Sequence, residues 1–308
     1  MRRTSLDCVH ELARLDKRVV FIGSDLGAGV LESMRTEMPE RWFMEGVAEQ
    51  HIIGMAAGLA LEGFIPYVNT IATFLTRRCY EQLVVDICLH RLPVRLIGNG
   101  GGVVYAPLGP THQATDDFAI MRVIPNMTVV APCDADEMRR LMETTLDWPD
   151  PIYIRLAKGG DKIISSEENG FEIGKGIVLR RPGEVLLVTT GIMTQRALGV
   201  AEKLEKFNIY CGVLHLHTLK PCDKTLIIEM ALMVNLVITI EEHQQNGGLG
   251  STVLEVLADA NLDRMPQVLR KGIPDQFAQQ YGSQESLLEH WGLDVDSLAN
   301  TVKEAISG

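Results

Sequence analysis

PVRLIGNGGG, residues 93–102, is a short apolar run interrupted only by Arg95 that stops abruptly in an asparagine and three glycines. Pro93 to Gly98 has the length and make-up of a buried strand, and Asn99 to Gly102 begins a loop at its carboxyl end. Comparable runs stand at VVFIG (19–23), TVVAP (128–132) and IYIRL (152–156), with helical patterns between them at 47–62, 76–90 and 135–147. That alternation predicts a mostly parallel sheet covered by helices on both faces. From Gly159 to Gly183 the sequence turns polar and glycine-rich, and is expected to be a connection holding one short strand pair. The alternation restarts with VLLVTTG (185–191), YCGVLHL (210–216) and LVITIEE (236–242), each followed by a helical pattern. The expectation is an α/β chain of two domains, each a mostly parallel sheet flanked by helices. Its boundaries fall at 1–160 and 184–308, joined by a linker over 161–183.

The bulk properties narrow the function classes. A length of 308 residues with 46 % hydrophobic and 22 % charged residues is enough for two packed domains. The formal net charge of −11, with no offsetting Lys/Arg cluster, gives no footprint for nucleic acid. The six cysteines are scattered and form no C-x-x-C pair, so they read as reduced core thiols rather than zinc or redox ligands. The start, MRRTSLDCVHELARLDK, lacks an apolar signal core, and no run of about 18 apolar residues is present to span a bilayer. No membrane association and a cytoplasmic location are therefore expected.

Two segments carry candidate chemistry. EGVAEQH (45–51) opens a helix that continues as IIGMAAGLALEG, crowded with small residues that let its backbone approach a neighbour. Glu49 in its first turn is either an acid that complements the helix dipole or a functional carboxylate. LGPTHQ (108–113) closes the glycine-rich loop that follows the strand ending at Gly98, and parallel sheets bind ligands at the carboxyl ends of their strands. His112 there is placed either for proton transfer or to cap a helix beginning near Ala114. Neither a complete G-x-G-x-x-G nor a G-x-x-x-x-G-K-[ST] occurs, which argues against dinucleotide and P-loop sites.

RWFMEGVAEQHIIGMAAGLALEG, then TFLTRRCYEQL, then GPTHQATDDFAIMRVIPNMTVVAPCDADE resembles the pyrimidine-binding domain of transketolases and deoxyxylulose-phosphate synthases. LKPCD (219–223) and EEHQQNGGLGS (241–251) are similar to the C-terminal domain of the same family, so the resemblance covers nearly the whole chain. It implies thiamine diphosphate and Mg²⁺ as cofactors. Glu49 is then the carboxylate that hydrogen-bonds N1′ of the pyrimidine, where the chemistry needs an acid to protonate that nitrogen. Phe74 matches the aromatic residue stacked on the pyrimidine, although by itself it reads as core packing. His112 matches a histidine close to the reacting carbon. Arg77 and Lys158 align with basic residues that approach the substrate, Lys158 standing where an arginine often holds the sugar phosphate; lysine keeps the charge but loses the two-pronged geometry. His51 is expected to face elsewhere on the helix and to pack.

The resemblance also has gaps. Where transketolases have E-D-G-P-T-H, this chain has Pro107-Leu108-Gly109-Pro110-Thr111-His112, so the substrate-reading Asp is replaced by Leu108. An unpaired substrate hydroxyl disfavours polyols by roughly 1–3 kcal/mol, which turns the expectation away from standard pentose phosphates. The G-D-G…N motif, whose oxygens hold Mg²⁺ and the diphosphate, is absent from the sequence. The resemblance thus implies a C-terminal subunit of a split transketolase-like enzyme, active only with a separate N-terminal, diphosphate-binding subunit. That assembly is expected to be a homodimer within a heterotetramer, transferring a two-carbon ketol or acyl unit from a small sugar phosphate or 2-oxo acid. The rivals are the β subunit of a 2-oxo acid dehydrogenase, a deoxyxylulose-phosphate synthase-like carboligase, and a catalytically silent scaffold.

Overall fold

The structure, a computed structural model, describes residues 1–24, 29, 31–157 and 159–307. The chain divides into two compact units, Met1–Gly101 with Ile120–Ile173, and Gly102–Ala119 with Gly174–Gly308. Each is built on a mostly parallel sheet flanked by helices, as the strand–helix alternation predicts.

In the first unit the chain runs through α1 (Arg2–Leu15), β1 (Val19–Gly23), α2 (Glu32–Glu37), β2 (Trp42–Met44), α3 (Glu49–Leu61) and β3 (Ile65–Ile71). It continues through α4 (Tyr80–Gln82), β4 (Arg95–Asn99), α5 (Asp117–Arg122), β5 (Thr128–Val130), α6 (Ala135–Thr145) and β6 (Ile152–Leu156); α5 begins on residues of the second unit. The strands lie in the order β5-β6-β4-β3-β1-β2 with every neighbouring pair parallel. All but β2 are buried from end to end, which is why they read as continuous apolar runs rather than alternating ones. The central strand β3, IPYVNTI, is absent from the sequence expectation, because Pro66 and the polar pair Asn69-Thr70 break its apolar run.

The helix expected over residues 76–90 is wound differently. Two π-helical turns, Phe74–Arg78 and Leu83–Cys88, flank the single turn of α4. Side chains compete for the carbonyls there: the Thr76 hydroxyl donates to Ala72 O at 2.8 Å and the Cys79 thiol to Leu75 O at 2.7 Å. Such local widening of a helix is frequent at functional sites.

The second unit follows through β7 (Ile177–Arg180), β8 (Val185–Thr189), α7 (Met193–Glu205), β9 (Cys211–His215), β10 (Thr218–Lys220) and α8 (Lys224–Leu232). β11 (Leu236–Gln244), α9 (Leu249–Asp259), β12 (Gln267–Ile273), α10 (Gln284–His290) and α11 (Val295–Ser307) complete it. Its five-stranded sheet has the order β12-β11-β8-β9-β7, parallel except for β7, which is antiparallel on the β9 edge. In place of the strand pair expected between Gly159 and Gly183 the structure has this one strand, because glycines 159, 160, 170, 174 and 176 leave only residues 177–180 as a β-forming run. Val185, Leu187, Ile238 and Ile240 of the sheet pack with Val200 and Leu204 of α7 and with Leu298 and Val302 of α11. Among the described residues no helix is long and apolar enough to cross a membrane.

Arg95 secures the amino-terminal side of the first sheet. It is completely buried at the start of β4, and its guanidinium donates to the carbonyls of Thr145 at 2.7 Å, Asp150 at 2.8 Å and Trp148 at 2.5 Å. A cation at the carboxyl end of α6 also complements the helix dipole. Burial outweighs the favourable influence of the Tyr67 hydroxyl and lowers the Arg95 pKa to about 10, so it remains charged at neutral pH. Arg95→Met leaves one buried and two part-buried carbonyls without their donor and is expected to cost about 2–4 kcal/mol in urea unfolding; a loss below about 1 kcal/mol would show that water or a shifted loop replaces the guanidinium.

Candidate active site

The carboxyl ends of β1, β3 and β4 gather a buried polar cluster. Ser24 follows β1, Asn69 and Thr70 lie near the end of β3, and Asn99 ends β4; all four are buried. Asn99 Nδ2 donates to Asn69 Oδ1 at 2.6 Å and to Thr70 O at 3.0 Å, while the Ser24 and Thr70 hydroxyls stand 2.8 Å apart. Buried polar groups persist only when hydrogen-bonded, so the cluster fixes these strand ends relative to one another.

Glu49 enters this cluster from α3. As the first residue of the helix, it is held by packing of Ile52, Ile53, Ala56, Ala57 and Ala60 on the buried face. Its carboxylate is 1 % exposed, accepts from the Thr70 hydroxyl at 3.4 Å and pairs with Arg78 Nη1 at 2.6 Å. The Arg78 guanidinium also lies over the Phe74 ring, 4.3 Å from its centroid. Phe74 and Arg78 are the first and last residues of one π-helical turn, and Gln50 Nε2 donates to Arg78 O at 3.1 Å, tying that turn to the head of α3. Thus Glu49 and Phe74 are brought to one place, and Arg78, to which sequence reasoning gave no role, joins them. Arg77, in the same turn, is half-buried. Lys158 lies outside the described residues, and His51 is exposed with Nε2 3.6 Å from Glu45 Oε2 rather than packed.

Leu108 and His112 belong to the second unit. Their loop is stapled at its base by paired hydrogen bonds between Gly102 and Ala114, both 2.9 Å. It is then fastened to β11: Val103 N donates to Glu242 Oε1 at 2.9 Å, Gln244 N to Thr115 O at 2.8 Å, and Phe118 stacks on His243 at 5.3 Å. Gly102 has φ +63°, and a Cβ at that position would collide with the Glu242 side chain, so the staple needs glycine twice over. Leu108 is 51 % exposed at the loop tip, and His112 Nδ1 lies 2.9 Å from the Thr111 hydroxyl. No helix begins at Ala114; the next one starts at Asp117, so His112 does not cap it.

Comparison with known proteins places this geometry. Residues 1–160 match the transketolase pyrimidine binding domain and residues 174–298 the transketolase C-terminal domain. A protein of Methanocaldococcus jannaschii named as a transketolase C-terminal section is 34 % identical over 99 % of this chain and 95 % of its own length. The 1-deoxy-D-xylulose-5-phosphate synthase of Caldanaerobacter subterraneus subsp. tengcongensis is 36 % identical over 95 % of this chain; the match spans 46 % of that enzyme, so this chain covers about half its length. A solved structure described as a split gene transketolase, an inactive beta4 tetramer, superposes with a TM-score of 0.88 at 36 % identity over 99 % of this chain and 97 % of that one.

The thiol next to the cluster offers a check on its closure. Burial, reinforced by the Glu49 carboxylate, raises the Cys79 pKa to about 12, so the thiol stays protonated and unreactive. All six cysteines are free; five are buried and Cys222 is half-buried. Maleimide at pH 8 is expected to label Cys222 first and Cys79 only after unfolding, as read by peptide mass spectrometry. Early labelling of Cys79 would show that the Phe74–Cys79 segment opens in the native protein.

Proposed function

The chain belongs to the transketolase family, carrying its pyrimidine-binding and C-terminal domains, and on that footing we propose that it is the subunit that holds the pyrimidine side of a thiamine diphosphate site. A separate diphosphate-binding subunit completes the enzyme. The reading rests on Glu49, a carboxylate 1 % exposed at the carboxyl edge of a parallel sheet, linked through one flat guanidinium to an aromatic face. That arrangement fits the cofactor's ring: the planar Arg78 group donates to Glu49 and lies over Phe74, the same two partners, an acid and an aromatic ring, that an aminopyrimidine would need.

When bound, thiamine diphosphate would supply a thiazolium carbon able to act as a nucleophile. Glu49 would hold a proton at the pyrimidine nitrogen, Phe74 would orient the ring, and the Thr70 hydroxyl steadies Glu49 Oε1. His112 handles substrate oxygens or protons, Arg77 and Lys158 attract the anionic end of the substrate, and Leu108 replaces the hydroxyl-reading acid of pentose-phosphate enzymes. The reaction is transfer of a two-carbon ketol or acyl unit from a sugar phosphate or 2-oxo acid. Mg²⁺ and the diphosphate fall to the partner, since the sequence has no G-D-G. The near-complete match to a C-terminal section and to a split gene transketolase supports a two-gene enzyme. The described beta4 tetramer and the exposed Val47 and Leu61 flanking and ending α3 support self-association of this chain within a heterotetramer.

Glu49→Gln in the reconstituted enzyme tests the acid. The amide keeps the shape but cannot deliver the proton, and positioned proton transfer is worth about 10²–10⁴-fold. Cofactor affinity is expected to change little, turnover to fall about 100-fold or more, and proton–deuterium exchange at the thiazolium carbon to slow in step. Equal exchange rates in wild type and variant would make Glu49 a structural acid.

A further inference from the structure

The contacts of Arg78 are the ones that the proposed cofactor ring requires. Its guanidinium is planar, with N–H donors around its edge and a π-face on either side. One nitrogen lies 2.6 Å from Glu49 Oε2, and the guanidinium carbon lies over the Phe74 ring, 4.3 Å from its centroid. A pyrimidine that took the same Glu49 oxygen and the same side of the Phe74 ring would have to displace the guanidinium.

We propose that Arg78 is an internal stand-in for the pyrimidine, closing the pocket between Glu49 and Phe74 in the free chain and swinging into solvent when the ring enters. The proposal rests on the cofactor reading above. Three further observations support it. Glu49 is buried, and an ionised carboxylate there needs a cation or donors when no ligand is bound, which Arg78 supplies. The Arg78 side chain is 41 % exposed, so it sits at the mouth with water beside it rather than in the core. Its backbone is anchored by the hydrogen bond from Gln50 Nε2, so displacement involves the side chain alone. The stacked cation and the charge-assisted hydrogen bond must both be broken before the ring can bind, and apparent affinity falls by the fraction of molecules already open.

The pyrimidine half can be tested without the diphosphate, using thiamine as the probe in calorimetric titrations of the purified chain. Arg78→Ala is expected to bind thiamine about tenfold tighter than wild type. Millimolar methylguanidinium should refill the vacated place, compete with thiamine in Arg78→Ala and have little effect in wild type. Phe74→Ala added to Arg78→Ala should abolish the gain. Arg78→Lys keeps a cation near Glu49 without the flat stack, so it is expected to fall between the two and serves if the alanine variant unfolds. Equal thiamine affinities in wild type, Arg78→Ala and Arg78→Lys, with binding lost in Phe74→Ala, would overturn the proposal and leave the cofactor reading standing. Thiamine is taken to millimolar concentrations, above the micromolar range in which the chain alone is expected not to hold the whole cofactor; binding by none of the proteins there would overturn the proposal and the pyrimidine reading together.

Discussion

A carboxylate as deeply buried as that of Glu49 has to be matched by donors or a cation, and much of the first unit's carboxyl edge is arranged to do so. Thr70 on β3 gives a hydroxyl, Ser24 after β1 supports that hydroxyl, and Asn99 on β4 holds the backbone of Thr70. The three strand ends are thereby locked in the register that the parallel ladder sets. The alanines on the buried side of α3 let its backbone come close to β3, which brings the first residue of the helix over the strand ends. A bulkier helix would stand off the sheet and leave the acid short of its partners. The widened turn from Phe74 to Arg78 then places an aromatic ring and a guanidinium on the open side.

The second unit satisfies its buried acids in another way. Glu241 accepts from the backbone of Leu249 at 2.7 Å and of Gly250 at 2.8 Å, capping the amino end of α9 where the helix dipole favours an anion. Glu242 accepts from Val103 N and from Gln284 Nε2 at 2.8 Å, and so joins the loop that bears His112 to the sheet. Both acids of the EEH run thereby hold structure, Glu241 positioning a helix and Glu242 a loop.

How much of this was legible in the sequence depends on what each residue had to satisfy. Strands such as VVFIG and IYIRL are apolar on both faces, so composition alone revealed them. β3 stayed hidden because polar residues, among them the Thr70 that donates to Glu49, interrupt its apolar run. Glu49 and Phe74 were named from family resemblance, whereas Arg78 was not, since its place depends on a π-helical turn that no helical period shows. The signal was nonetheless present as the doubled arginine in TFLTRR: only one of two adjacent residues on such a turn can point at the acid. The loop of Leu108 and His112 follows β4 in sequence, but Val103 and Thr115 at its two ends are hydrogen-bonded to β11, a long-range choice that spacing cannot reveal.

The central claim is that these residues make one side of a thiamine diphosphate site and that the charged end of the cofactor is held by another polypeptide. Calorimetric titration of thiamine diphosphate with Mg²⁺ into the purified chain, alone and then mixed with a G-D-G-bearing subunit, tests it most directly. The account predicts no complex at micromolar concentrations for the chain alone and a stoichiometric one for the mixture. A tight 1:1 complex with the chain alone would contradict it.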